Sequence, residues 1–314
     1  MPETCDVAVI GAGPAGLTAG IYLARAGLKA VLFDKGMPGG QLATTDVIEN
    51  YPGIPEPVGG MELSMRMAEQ VKGFGAQILT VQVTGLKIDG DRKVVVTSKG
   101  EWAAAAAIVA TGARHGRLNV PGETCYWGKG ISCCATCDGV FFKGKEVVVV
   151  GGGDAAVKES LFLTRFASRI TLIHRRDRLR ATKVIADRLL AHPKVQVLWN
   201  TIVTEIVGGQ RVDGVLLKDL KTGEVRRLPC EGVFLFVGTE PNTGFLGGLV
   251  RLDERGYVLT DEDMATSVAG IFACGDVRKK LLRQVVTACG EGATAAYAAQ
   301  KYVEKIRGAE YPGG

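Results

Sequence analysis

The sequence predicts an α/β fold made of two Rossmann-like three-layer domains, the second inserted into the first. A unit of strand, glycine motif, helix and strand opens the chain near Asp6 and returns near Glu146, about 140 residues later. No third glycine motif follows, so the tail is expected to return and complete the first domain. The predicted domains are therefore 1–117 with 246–314, and 118–245.

Composition narrows the class of protein. The chain has 314 residues, a length that suggests about two domains, and 46% of them are hydrophobic, which is enough for a large core. It also contains 43 glycines, a high number. A net charge of +5 is too small to indicate nucleic-acid binding. An apolar strand starts at once and no apolar run is long enough to span a bilayer, so neither a signal peptide nor a membrane helix is expected. Five of the eight cysteines are scattered singly, which favours a reducing cytoplasm.

The first glycine unit has every part of a dinucleotide-binding motif. Strand 6–10 leads into the motif 11–16, helix 17–26 follows, and strand 29–33 ends at Asp34, eighteen residues after Gly16. Glycines here allow a tight turn, close approach of a pyrophosphate and close helix packing, and the acid can accept a bond from a ribose hydroxyl. A dinucleotide site is favoured over a bare structural turn.

A glycine-rich segment follows at 36–42, and Glu49-Asn50-Tyr51-Pro52-Gly53 comes soon after it. Its backbone and amide side chains could lie against a flat heterocycle, and the alternative is an ordinary surface loop. The remaining elements expected before the insertion are a helix at 60–74 and strands at 77–79, 83–88, 94–97 and 106–110, the last closing at Thr111-Gly112.

Three cysteines precede the second glycine unit, in the stretch Cys133-Cys134-Ala135-Thr136-Cys137-Asp138-Gly139, and two of them are three positions apart. Cys134 and Cys137 can form a small-loop disulfide, and a positive charge or helix N-terminus would make one of them a thiolate. In a reducing compartment such a pair is usually catalytic or metal-binding. Structural zinc wants four ligands, and none of the three histidines shows ligand spacing. A chance pair of cysteines, and a helix-capping role for Asp138, remain the alternatives.

The second glycine unit runs from strand 146–150 through the GxGxxA motif 151–156 and a helix to about Phe166, to strand 169–173. This second strand ends in His174-Arg175-Arg176, with Arg180 four residues on. Guanidinium groups bind a 2′-phosphate where an acid would favour a free hydroxyl, so this site is expected to prefer NADPH to NADH. The alternative is a solvated basic helix start, the class to which Arg178 and Lys183 are assigned.

Strand 233–237 closes the sheet of the second unit. In the tail, a strand at 270–276 ends in Gly275-Asp276, whose acid could hold a ribityl hydroxyl of a flavin. Arg283-Gln284 and a long helix, about 292–306, come next.

Together these segments resemble one family, the bacterial-type (low-molecular-weight) thioredoxin reductases of the pyridine nucleotide-disulfide oxidoreductases. The resemblance covers essentially the whole chain. The matching segments are GAGPAG at 11–16, GGQL at 39–42, ENYPG at 49–53, CATCDG at 134–139, GGGDAA at 151–156, HRRDRLR at 174–180, and CGD with RQ at 274–276 and 283–284.

The resemblance implies an FAD domain split across the chain, an inserted NADPH domain that carries the redox pair, and a homodimer. It implies an NADPH-dependent enzyme that reduces the disulfide of thioredoxin or a thioredoxin-like protein, with no metal, membrane or nucleic-acid partner. Cys137 would lie nearest the flavin, Cys134 would attack the partner disulfide, and Asp138 would return a proton. The inserted domain would rotate about hinges near 112–117 and 241–246.

The residues implied to bind cofactors fall into two sets. Those for FAD are Gly11, Gly13, Pro14, Ala15, Gly16, Asp34, Lys35, Gly39, Gly40, Gln41, Leu42, Asn50, Thr111, Gly112, Gly275, Asp276, Arg283, Gln284 and Val285. Those for NADPH are Gly151, Gly153, Asp154, Ala155, Ala156, His174, Arg175, Arg176 and Arg180.

Three features depart from the family pattern. Lys158 stands where a glutamate is common, Cys133 replaces a small residue, and Arg278-Lys279-Lys280 is unusually basic, either a solvated loop or a surface for an acidic partner. Rival functions within this fold are a ferredoxin-driven flavin reductase and a dithiol oxidase. A non-catalytic FAD redox sensor is the rival from another class.

Overall fold

The computed structural model describes residues 2–45 and 47–309. The chain divides into two compact units, Met1–Arg114 with Glu240–Gly314, and His115–Thr239. These boundaries fall three and six residues before the predicted ones, which follow 117 and 245.

The strands, in chain order, are β1 (Glu3–Ile10), β2 (Ala30–Asp34), β3 (Gln77–Thr80), β4 (Val83–Asp89), β5 (Arg92–Thr97), β6 (Gly100–Val109), β7 (Ala113–His115), β8 (Ile131–Ser132), β9 (Glu146–Gly151), β10 (Arg169–Ile173), β11 (Val195–Leu198), β12 (Thr201–Gly208), β13 (Val212–Asp219), β14 (Val225–Pro229), β15 (Gly232–Phe236), β16 (Thr239–Pro241) and β17 (Ile271–Ala273). The α-helices are α1 (Pro14–Arg25), α2 (Gly60–Gly73), α3 (Ala135–Asp138), α4 (Asp154–Leu163), α5 (Lys183–Leu190) and α6 (Val285–Ile306). Short 3-10 helices cover Leu42–Thr44, Gly139–Phe142, Gly244–Leu246 and Gly275–Val277.

The first unit is built on a seven-stranded sheet in the order β3-β2-β1-β6-β5-β4, with β17 also pairing with β6. Strands β1, β2, β3, β6 and β17 are parallel, and β4 and β5 are antiparallel additions. Alternate residues of β1 serve two cores. Val7 and Val9 pack with residues of α1, α2 and α6, whereas Ala8 and Ile10 pack on the opposite face.

The second unit has a five-stranded parallel sheet, β11-β10-β9-β15-β8, and a three-stranded antiparallel sheet, β12-β13-β14. In β9, Val147 and Val149 pack with α4, whereas Val148 and Val150 pack with residues of β12 and β13. Each unit is therefore layered around a parallel sheet, and the predicted fold class is confirmed. The antiparallel sheet was not predicted.

Several element boundaries differ from the prediction. α6 begins at Val285 and not near 292, because Gln284 and Thr287 form a capping box that starts the helix earlier. β6 begins at Gly100 and not at Ala106, since its run of alanines hides the alternation that marks a strand. α4 ends at Leu163, three residues before the predicted end.

The strands β7 and β16 pair with each other, and Arg114 and Glu240 form an exposed ion pair there, Nη2 to Oε2 2.6 Å. In the described ranges, none of the helices combines the length and the apolar character that a membrane crossing requires.

Candidate active site and nucleotide-binding sites

Cys134 and Cys137 form a disulfide at the start of α3. Cys134 is the N-cap of this helix, and its Sγ accepts a hydrogen bond from the Cys137 N–H at 3.2 Å. The Thr136 Oγ1 lies 3.3 Å from the same sulfur, and the Ser132 hydroxyl accepts from the Cys134 N–H at 3.0 Å. Donors aimed at a sulfur stabilise its thiolate, so this arrangement can activate Cys134 once the disulfide is reduced.

Glu159, on α4, contacts the same helix and was not identified from the sequence. Its Oε2 accepts a hydrogen bond from the Ala135 N–H at 3.1 Å. Burial raises the pKa of this carboxyl, and hydrogen bonds from the Ala135 and Thr136 backbones oppose that shift. The one feature of the sequence that could have indicated a role for Glu159 is its position on the helix that follows the second glycine motif.

Cys133 and Asp138 flank the redox pair. Burial, followed by repulsion from the Asp138 carboxylate, raises the pKa of the Cys133 thiol to about 12. Cys133 is therefore protonated and unreactive at neutral pH. The capping alternative for Asp138 is wrong for the 3-10 helix Gly139–Phe142, because its side chain makes no capping hydrogen bond there. No cluster of three metal-binding side chains occurs within 2–45 and 47–309.

The first glycine motif forms a turn at the ends of β1 and β6. A Cβ on Gly11, whose φ is +108°, would lie 2.4 Å from the Ala110 carbonyl oxygen, and one on Gly16 would lie 1.9 Å from the Gly11 oxygen. Around Gly13 there is open space, just before α1 begins at Pro14. The N-terminus of α1 thus faces room for a phosphate.

Asp34 ends β2 beside this turn. Its Oδ2 accepts from the Ala12 N–H at 2.7 Å and its Oδ1 from the Gly36 N–H at 3.0 Å. Each carboxylate oxygen keeps a further lone pair, so the acid can also accept from a ribose hydroxyl. Lys35 is exposed.

The segment after β2 is held against the first glycine motif. The Gly39 N–H donates to the Ala12 oxygen at 2.7 Å, and a Cβ on Gly40 would lie 3.4 Å from the Gly13 Cα. Gln41 Nε2 donates to the Ala113 carbonyl, and Leu42 is buried. These contacts make the segment part of the motif's surroundings, which disfavours the interpretation as an ordinary surface loop.

The Gly-Asp motif of the tail meets the first glycine motif at Ala15. A Cβ on Gly275 would lie 2.8 Å from the Ala15 Cβ, and one on Gly292 would lie 2.2 Å from the Ala15 oxygen. Asp276 follows, and burial raises the pKa of its carboxyl. Its Oδ1 lies 3.7 Å from the Lys280 Nζ in a loose ion pair, and it is buried without a hydrogen-bond partner among the described residues. An acceptor of this kind fits a cofactor hydroxyl, and the contact of Asp276 with a flavin stays a prediction.

Glu291, on α6, was also missed. Its Oε2 accepts from the Gly275 N–H at 2.8 Å, and its Oε1 lies 3.0 Å from both Arg278 Nη1 and Lys280 Nζ. Both interpretations of the Arg278–Lys280 run are therefore wrong for these two side chains, which are mostly buried and paired inward. Only Lys279 is exposed, because the chain alternates its sides as it leaves the turn.

The other predicted residues of the first unit lie nearby. Asn50 Nδ2 donates to Gln284 Oε1 at 3.1 Å, and the Arg283 guanidinium lies 4.3 Å from the centre of the Tyr257 ring. Thr111 Oγ1 donates to the Asn242 oxygen at 2.8 Å. Gly112 has a φ of +66°, and Val285 is the first residue of α6.

The second glycine motif repeats the arrangement of the first. A Cβ on Gly151 would lie 2.8 Å from the Phe236 oxygen, and Gly153 faces open space just before α4 begins at Asp154. Gly152 lies against the His174 imidazole, where a Cβ would be 2.1 Å from a ring carbon. Ala155 is exposed and Ala156 is buried. The open end of the motif is again a helix N-terminus.

Arginines lie exposed beside this motif, at Arg175, Arg176 and Arg180. The Arg180 N–H donates to the Gly152 oxygen at 2.7 Å, and Asp154 Oδ1 accepts from the Thr182 N–H at 2.7 Å. His174 instead is buried, and burial lowers its pKa. It is therefore a neutral packing group behind the glycines, and its contact with NADPH stays a prediction.

A comparison with known families gives one match over most of the chain, in which residues 5–292 fit the model of the pyridine nucleotide-disulphide oxidoreductases. This chain belongs to that family. The thioredoxin reductase of Treponema pallidum is 48% identical over 98% of this chain and all of its own length. That of Bacillus subtilis is 47% identical over 96% of each chain. The resemblance to bacterial-type thioredoxin reductases is thus confirmed, and this member of the family is an oxidoreductase.

Solved structures of thioredoxin reductases are also similar to this chain. The thioredoxin reductase of Streptococcus pyogenes is 44% identical, with a TM-score of 0.93 over 97% of this chain and all of its own. That of Lactococcus lactis in an FR conformation is 45% identical over 96% and 99% of the two chains, with a TM-score of 0.66. Whole-chain superposition therefore differs between two relatives of almost equal identity.

Proposed function

We propose that this chain is a thioredoxin-disulfide reductase that uses NADPH and FAD. The single observation that carries the proposal is the Cys134–Cys137 disulfide at a helix N-terminus, in a unit that also holds the second glycine motif. A disulfide in this position is poised for thiol exchange and has no role in closing a large loop.

The residues of the first unit fit FAD. Gly11 to Gly16 and α1 would hold the pyrophosphate at the open end of the helix. Asp34 would accept from a ribose hydroxyl and Asp276 from a ribityl hydroxyl, since their carboxylate oxygens have lone pairs that the protein's hydrogen bonds do not use. The loop 39–42, together with Asn50 and Gln284, would line the remaining part of the FAD site.

The second unit fits NADPH. Gly151 to Ala156 would hold the pyrophosphate, and Arg175, Arg176 and Arg180 the 2′-phosphate. Bound in these two sites, the cofactors would together supply the disulfide with one electron pair, which originates as the hydride of NADPH.

The protein's own chemistry is thiol exchange. Reduction of the disulfide breaks its S–S bond with two electrons and one proton and leaves one thiolate and one thiol. The Cys134 thiolate then attacks a disulfide sulfur of thioredoxin and forms a mixed disulfide, releasing one partner thiolate. Cys137 attacks Cys134 next, which restores the internal disulfide and frees reduced thioredoxin. Asp138 would supply the proton taken up by the released thiolate.

We further propose that the inserted unit rotates during turnover, about hinges near 112–117 and 241–246. The chain crosses between the two units after Arg114 and after Thr239, within the first of these segments and just before the second. A cross-link that locks the two units and leaves turnover intact would refute it. Thioredoxin or a thioredoxin-like protein as partner, a homodimer and a cytoplasmic location complete the proposal.

The test is an anaerobic titration with NADPH and, separately, NADH, followed by oxidised thioredoxin. NADPH should bleach the flavin absorbance, and thioredoxin should restore it. Bleaching by neither nucleotide would favour the ferredoxin-driven reductase or the sensor, and reoxidation by oxygen but not thioredoxin would favour the oxidase. Faster reduction by NADH would contradict the assignment of the three arginines.

A further inference from the structure

The backbone N–H groups of the first turn of α3 are divided between two acceptors. The Ala135 N–H donates to Glu159 Oε2 at 3.1 Å, whereas the Cys137 N–H donates to Cys134 Sγ at 3.2 Å. The Thr136 N–H also acts on Glu159. No carbonyl inside a helix can accept from these first groups. A carboxylate and a redox sulfur therefore draw on the same small set of donors.

The Glu159 carboxyl sits in a partly buried position on α4. Burial raises its pKa, and hydrogen bonds from the Ala135 and Thr136 backbones lower it. None of the ion pairs between described residues involves Glu159. Cys134 directly precedes Ala135, so a negative charge on its sulfur will interact with the Glu159 carboxylate in a medium that screens charges less than water does.

We propose that Glu159 is a positioning residue that makes the Cys134–Cys137 pair a stronger reductant. Reduction converts the disulfide, two electrons and a proton into one thiolate and one thiol. The carboxylate repels the new thiolate, so it disfavours the reduced form. A less stable reduced form gives up its electrons more readily. This inference rests on the redox role proposed for the pair.

Glu159→Gln separates charge from position. The glutamine side-chain oxygen can still accept from the Ala135 N–H, but the negative charge is gone. The equilibrium constant for reducing the disulfide with dithiothreitol should rise about tenfold, which is about 30 mV for a two-electron couple. Glu159→Asp keeps the charge and should stay within about threefold of the native protein.

The experiment uses the full-length flavoprotein in anaerobic buffers of reduced and oxidised dithiothreitol. After trapping with iodoacetamide, the mass of the peptide that contains 133–137 reports the fraction reduced. Glu224→Gln, at an exposed turn of the same unit, is the matched control and should titrate like the native protein. Flavin content and thermal midpoint show that each variant is folded.

A Glu159→Gln protein that titrates like the native one would overturn the inference, and so would an equal shift in Glu224→Gln. If Glu159→Gln does not fold, Glu159→Ala must shift in the same direction. A second readout is the pH profile of Cys134 alkylation in the reduced protein, whose midpoint should fall by about one pH unit in Glu159→Gln. Neither measurement uses NADPH or thioredoxin, so loss of the proposed function and loss of this inference remain distinguishable.

Discussion

Asn50 and Gln284 are joined by a hydrogen bond, Nδ2 to Oε1 3.1 Å, although 234 residues separate them in the chain. The bond ties the loop after the first glycine motif to the residue that caps α6. Both amides were predicted to contact the same cofactor, and the structure brings them to one place. The first unit is thus assembled from distant segments around the position proposed for FAD.

Two glycines of the first motif should respond differently to alanine. Gly16→Ala places a Cβ 1.9 Å from the Gly11 oxygen, so this variant should lose its fold or its soluble expression. Gly13→Ala meets open space, so this variant should fold, yet lose about tenfold or more in FAD affinity because the methyl group occupies the phosphate's approach. Circular dichroism and flavin retention measure the two effects. Equal FAD affinity in Gly13→Ala and native protein would contradict the assignment.

Substitutions of the redox pair should affect activity far more than a substitution of the neighbouring Cys133. Cys134→Ser and Cys137→Ser should each lower thioredoxin reduction at least about a thousandfold, because thiol exchange needs both sulfurs. Cys133→Ser is the matched control. Burial raises the pKa of the Cys133 thiol to about 12, which keeps it protonated, so this variant should keep most of the activity. A large loss in Cys133→Ser with normal flavin content would refute its inert role.

Arginines beside the second glycine motif should determine nucleotide preference. A charge-assisted hydrogen bond contributes about 1.5–3 kcal/mol, so Arg175→Ala or Arg180→Ala should lower kcat/KM for NADPH roughly tenfold to a hundredfold. The value for NADH should change little, since NADH has no 2′-phosphate. Arg178→Ala, also exposed, is the control. Stopped-flow flavin reduction gives both constants, and an equal loss with both nucleotides would exclude a 2′-phosphate contact.

Glu291 should support both stability and FAD retention. Glu291→Gln leaves Arg278 and Lys280 without their shared carboxylate, where the side chains of all three are at most 15% exposed. Loss of one partner of a buried pair costs about 3–5 kcal/mol, and the Gly275 turn should loosen with it. The thermal midpoint and the FAD dissociation constant measure these effects. Glu262→Gln, at an exposed position, should change neither.

Stability should fall in alkali because of buried thiols. Burial raises the pKa of Cys5 and Cys230 from 9.0 to about 12. Between these values the unfolded chain holds fewer protons than the folded one, so stability present below pH 9 is lost as the pH rises towards 12. Each thiol should cost about 1.4 kcal/mol per pH unit above 9.

The measurement is the thermal midpoint at pH 8, 9 and 10. The double variant Cys5→Ala, Cys230→Ala should show a shallower fall than the native protein, and the difference isolates the thiols from other groups that titrate. Parallel curves for the two proteins would show that these thiols do not contribute.

Patterns that constrain the backbone were readable from the sequence. The two glycine motifs were placed correctly because their spacing encodes a turn, an open helix end and a close approach at once, as Gly11, Gly13 and Gly16 show. The Cys134–Cys137 disulfide was equally predictable, since two cysteines three positions apart can pair without help from distant parts of the chain.

Single acids on helices left no comparable pattern. Glu159 acts on a backbone N–H that is 24 residues away, and Glu291 on one that is 16 residues away. Only the packing of helices brings these groups together. The predictions for 278–280 were wrong for the same reason. Three adjacent cations look alike in the sequence, but the fold buries two of them.

The pairing of β17 with β6, and the packing of Gly292 on Ala15, have a consequence for biosynthesis. The inserted unit is one continuous stretch, so it can fold on the ribosome as soon as Thr239 has emerged. The amino-terminal glycine motif, although made first, cannot be covered until α6 leaves the exit tunnel. The site proposed for FAD is therefore completed late in the synthesis of the chain, and a truncation that removes α6 should leave only the inserted unit folded.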